Sequence, residues 1–184
     1  MAGKFRVEYP KDSLYKLATY GIRAKSFINK FSNTVTKHLA EQFYDFTREK
    51  LKEGQLGLQK LNRKTIAKKR AKGLDNPSAP MYGLGENDNR SFYNLIEIDS
   101  RPSKKFSRTK TFEVGFSAKA RHHSGKKIAL LNRYYSEGND ARNLPPRDII
   151  KNSKNRFKRT MSKRKLEAFN VAKLQTKWPK RVGG

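Results

Sequence analysis

The sequence predicts an α+β fold: a long N-terminal helix, a small antiparallel β-sheet, two or three further helices and a basic C-terminal tail. Three observations predict it. From Asp12 to Glu53 apolar residues return every three or four positions, as on one face of a helix. Ser91 to Ile98 and Lys110 to Ala118 alternate apolar and polar side chains, as strands do. From Pro146 or Arg147 to about Gln175 the helical spacing resumes, and Lys and Arg fill the other sides. A single domain over residues 1–172 and a tail over 173–184 are expected.

Met1 to Pro10 is short and mixed and reads as an arm. In the helix that follows, Leu14, Leu17, Gly21, Ala24, Ile28, Phe31, Val35, Leu39, Gln42 and Phe46 form the stripe. Asp12 or Ser13 is placed to accept the first free amides, and Gly54 is placed to end the helix. About forty residues at 1.5 Å each would span roughly 60 Å, more than a small domain, so the helix must break or project. Gly21 and Asn33 are its weakest points. Phe27, Phe43 and Tyr44 widen the stripe, which fits either a core helix or one that also meets another subunit.

Asn62 can cap a short helix, Arg63 to Lys72, and Gly73 can end it. Its apolar groups are Ile66, Ala67 and Ala71, so it belongs on the surface. Leu74 to Pro80 is a loop by composition, continued by Gly83 and Gly85. That glycine pair lacks the third glycine and the strand–turn–helix context of a dinucleotide fingerprint. In the two strands, Phe92, Asn94, Ile96 and Ile98 share one face, as do Phe112, Val114 and Phe116. Arg101 to Arg108 joins them as a basic connection, long for a hairpin, which is either solvated only or touches phosphate. Ser124 can cap a helix from Gly125 to Ser136, with Ile128, Leu131 and Tyr135 as its stripe. Asn139 to Pro146 is a turn. In the last helix Ile150, Phe157, Met161, Ala168 and Ala172 mark one side, with Leu166 and Phe169 adjoining.

The charge points to the partner. The chain carries 43 Lys and Arg against 16 Asp and Glu, a formal net charge of +27. Like charges repel in a compact state, and a polyanion or an acidic protein relieves that repulsion. Leu51–Lys72, Arg101–Lys127 and Pro145–Gly184 together hold +26 of the +27. The candidate contact residues are Lys64, Lys68, Lys69 and Arg70 on the short helix, and Lys104, Lys105 and Arg108 at the hairpin tip. Arg147 beside the prolines, and Lys158, Arg159, Lys163 and Arg164 on the last helix, complete the set. Pro145 and Pro146 fix φ at a helix start, and with Trp178 they are candidate interface residues.

Catalytic chemistry is not expected. There are no cysteines. The histidines are His38, His122 and His123, and the adjacent pair makes a poor chelate. No nucleophile elbow, P-loop or carboxylate cluster for metal-assisted nuclease work occurs. No cofactor, signal peptide or membrane span is expected.

Three places carry a resemblance. They are Leu61-Asn-Arg-Lys-Thr65-Ile-Ala-Lys68-Lys69-Arg70 with Tyr82-Gly-Leu-Gly85-Glu86, then Tyr134-Tyr135-Ser-Glu137-Gly138, then Pro145-Pro146-Arg147-Asp148-Ile149. In this order, over roughly Leu61 to Ile150, the chain resembles the neck, or tail-completion, proteins of tailed bacteriophages. It departs from that family's pattern at Asn87, where a Leu is usual, and at Asp148, where a second Pro is usual. The resemblance implies a structural virion protein of the head–tail junction: a tail terminator, head-closure protein or adaptor, assembled in the host cytoplasm. It implies a homo-oligomeric ring, a hexamer or dodecamer, around the DNA channel, meeting portal or adaptor and tail proteins and packaged DNA. The competing class is a ribosomal or other RNA-binding protein, whose charge and basic tail would serve RNA phosphates. No RNP-like aromatic run supports it.

Overall fold

A computed structural model describes residues 5–7, 21–58, 60–74, 76–79, 92–103, 109–117 and 148–176. The fold is mixed α+β. Its elements are β1 (Phe5–Val7), α1 (Gly21–Lys52), α2 (Arg63–Ala71), the single turn α3 (Phe92–Leu95), β2 (Ile96–Pro102), β3 (Lys110–Phe116), α4 (Ile149–Lys158) and α5 (Met161–Gln175). The three strands form one sheet in the order β1-β3-β2. The start of the long helix at Asp12, the helix over Gly125–Ser136 and the turn at Pro145–Pro146 lie outside the described residues.

The packed residues group into two compact units. The first takes Met1–Phe5, Phe43–Ile98 and Val114–Arg159, and the second takes Arg6–Gln42, Asp99–Glu113 and Thr160–Gly184. In the first, Phe157 of α4 is fully buried and meets the rings of Phe43 and Phe46 edge-on, with centroids 5.2 and 5.5 Å away. Such edge contacts add to the apolar area that the rings remove from water. Leu51, Leu56, Ile149 and Ile150 are buried in the same unit, and Phe92 of α3 meets Phe116 of β3 edge-on at 5.3 Å. In the second, Phe31 lies between Phe27, at 5.8 Å, and Phe169 of α5, edge-on at 5.0 Å. Ala168 and Ala172, one turn apart on α5, are fully buried there, as only small side chains allow at close helix approach.

Long helices need their polar groups satisfied. Thr36 donates its hydroxyl to the Ser32 carbonyl, and Thr47 donates to the Phe43 carbonyl at 2.8 Å. Both hydroxyls are thereby buried without loss. Asn33, a weak point in helix propensity, uses its Oδ1 to accept the backbone amide of Lys110 at 2.7 Å. It is an anchor between α1 and the start of β3. At Gly54, φ is 69°, so the chain leaves the helix through the left-handed region that glycine tolerates.

The sequence expectations are corrected in several places. Phe92 to Leu95 is a helical turn, and the strand expected from Ser91 begins at Ile96. Ile96 is buried, whereas Phe92 uses its ring against Phe116, which a turn permits as well as a strand. The strand then runs on through Arg101 and Pro102, which were assigned to the basic connection. Its register explains why. The amides of Ser117 and Ser103 donate to the carbonyls of Leu95 and Thr109, which sets Asp99 opposite Glu113. Arg101 Nη2 lies 2.9 Å from Asp99 and 4.0 Å from Glu113, between two acids that would otherwise repel. Pro102 closes this edge strand, where a missing amide costs no ladder bond.

The single last helix is two helices. Arg159 remains helical, with φ −65° and ψ −25°, but Thr160 leaves at φ −107° and ψ 9°. The Arg159 amide turns to the Arg156 carbonyl at 3.1 Å, the tighter i−3 pattern that ends helices. Helix α5 ends at Gln175, where the helical spacing was expected to end, with Thr176 buried after it. Finally, β3 is covered on both faces: Thr111 and Glu113 are buried as well as Phe112, Val114 and Phe116. It is also the central strand, so β1 and β2 pair with its two edges.

Candidate nucleic-acid interface

Helix α2 is formed by its ends rather than by a core, because none of its residues is buried. Asn62 Oδ1 accepts the Thr65 amide at 2.7 Å. At the other end the Gly73 amide donates to Arg70 at 2.9 Å and the Leu74 amide to Lys69 at 3.4 Å, with Gly73 at φ 68°. This is the Schellman arrangement, which satisfies the last free carbonyls. The loop that follows is tied back by Asn76, whose Nδ2 donates to the Lys52 carbonyl at 2.8 Å.

On this capped frame Lys64 and Lys68 stand one turn apart, both exposed, with Lys72 continuing their line. Arg63 and Arg70 are exposed seven residues apart. No carboxylate pairs with any of these cations among the described residues. Lys68 and Arg70 suit the negative helix end, but Arg63 and Lys64 sit in a first turn that holds no acid. Like charges one turn apart and cations at the positive end both oppose helix stability by tenths of a kcal/mol each. Counter-charge from outside the helix would relieve both.

Lys69 does other work. Its Nζ donates to the Ala79 carbonyl at 2.8 Å, and burial lowers its pKa from the usual 10.5. It ties α2 to the loop, whereas Lys64, Lys68 and Arg70 face outward. On α4, Lys158 and Arg159 are exposed. On α5, Lys163 is exposed, and Arg164 is half-buried with Nε donating to Thr160 Oγ1 at 3.0 Å. Lys104, Lys105, Arg108, Arg147, Pro145, Pro146 and Trp178 lie outside the described residues.

Other cations are engaged by partners within the chain in ways the sequence does not signal. The Arg48 guanidinium lies over the Tyr93 ring at 4.0 Å and near the Tyr44 ring at 5.1 Å, and its Nη1 donates to the Tyr44 hydroxyl at 2.8 Å. It therefore serves packing within the first unit. The pairing of Arg48 with Tyr93 joins positions far apart in sequence, so no local signal could have found it. Arg101 is likewise committed to its acids, and the Asp99 carboxylate raises its pKa further. Among the described residues no three His, Cys, Asp or Glu side chains gather as metal ligands would. Among them, too, no helix is long and apolar enough to cross a membrane. No protein-family model, curated protein or solved structure matches the chain.

Proposed function

We propose that this chain is a non-enzymatic structural protein of a phage head–tail junction, built into a ring around the DNA channel, with the outward cations of α2 set against polyanion. The observation that carries the neck reading is the succession of the three motifs between Leu61 and Ile149. The α+β layout, with a long first helix, a small sheet and terminal helices, is in keeping with it. The unpaired cations of α2 support the polyanion part by themselves, because a helix without a core has little reason to concentrate like charge.

The test is assembly. Purified protein is examined by mass photometry and negative-stain electron microscopy, with and without linear duplex DNA. Hexameric or dodecameric rings are the expected result. A protein that stays monomeric at micromolar concentration, and prefers structured RNA to duplex DNA, belongs to the RNA-binding class instead.

A further inference from the structure

The first unit contains a groove of about 650 Å³ that the nucleic-acid reading does not use. Two glycines, Gly54 and Gly57, both at φ 69°, turn the chain after α1. Leu58, Leu61 and Ile66 give the groove an apolar floor. Leu58 is buried, while Leu61 and Ile66 are half-exposed, so part of the floor still faces water. Arg156 of α4 borders it and comes so close to the loop that a Cβ on Gly57 would stand 3.2 Å from its Nη2.

The rim is positive. Lys60 and Arg156 are exposed, and among the described residues neither has a carboxylate partner. The rim's acid, Glu53, is already engaged by Lys50 at 2.6 Å. Two unpaired cations beside partly wet leucine and isoleucine define a site for carboxylate and apolar side chain together. Phosphate would satisfy the cations only. A nucleobase is held by stacking on aromatic planes, and no described lining residue is aromatic.

We propose that this groove binds an acidic peptide segment of a partner protein. An apolar side chain of that segment covers Leu61 and Ile66, and its neighbouring carboxylates pair with Arg156, through the guanidinium fork, and with Lys60. The site stands apart from the ring reading, since it needs one copy of the chain only.

Fluorescence anisotropy with two labelled ten-residue probes tests it. One probe is rich in Asp and Glu with two leucines, and the other carries serine at the leucine positions with equal charge. Any cationic surface binds both, so the quantity of interest is their ratio. The intact protein binds the leucine probe about tenfold more tightly, the factor expected from partial burial of one or two leucines. Ile66→Ser brings the ratio close to one, and Leu61→Ser serves as a second variant if the first loses its fold by circular dichroism. Lys64→Ala leaves the ratio unchanged. Equal affinities in the intact protein, or a ratio that survives both floor substitutions, overturn the proposal.

Discussion

Phe157 shows how much rests on one side chain. It is fully buried and touches the rings of both Phe43 and Phe46. Phe157→Ala removes those contacts and leaves a cavity, at a cost of about 3–5 kcal/mol in chemical denaturation. A loss under about 1 kcal/mol would mean that the first unit closes around the gap. Lys69 makes a prediction about pH. Its folded pKa is lowered, so the unfolded chain holds the proton more tightly. Its contribution to stability therefore rises as pH climbs through the lowered value toward 10.5, and is least favourable at neutral pH. Lys69→Met has no proton to lose. Stability of the intact protein relative to this variant should improve from neutral pH to 10.5, and parallel curves would contradict the burial of that amine.

At the scale of elements, end signals were legible where local chemistry alone decides. Asn62 caps α2 through its side chain, and Gly54 and Gly73 end helices because, lacking a Cβ, they adopt positive φ. The core stripe was legible too, since Ile28, Val35, Leu39 and Phe46 are buried at helical spacing. Tertiary choices were not. The alternation from Phe92 to Ile98 fits a strand, yet four of those residues make a turn because the pairing partner of β3 begins at Ile96. The break at Thr160 is hidden because helical periodicity holds on both sides of it. Leu166 was expected beside the buried side of the last helix, but is 62% exposed, and Leu174 is 86% exposed. Of the candidate contact residues, the outward direction of Lys64, Lys68 and Arg70 followed from a helix with no apolar stripe. The inward turn of Lys69 depends on the Ala79 carbonyl, ten residues on, which no spacing rule encodes.

For the whole molecule, charge decides association. A protein that neutralises six to ten phosphates should lose about 10³–10⁵ in duplex DNA affinity between 50 and 200 mM salt. Lys64→Ala with Lys68→Ala should lower the slope of log affinity against log salt by about two and weaken all sequences alike. A flat response in the intact protein would assign the +27 to acidic protein neighbours.

The two units also share their chain in an interleaved way: each takes three separated segments, and α1, β2 and β3 each contribute to both. Folding during synthesis ordinarily proceeds with N-terminal domains first. That route is closed here. The first unit lacks its central ring until Phe157 leaves the ribosome, and the second lacks Ala168 and Ala172 until a few residues later. Both cores are thus completed almost together, once α4 and α5 have both emerged. Until then α1 has emerged with the apolar stripe of both cores uncovered, in a nascent chain already rich in positive charge and held beside ribosomal RNA.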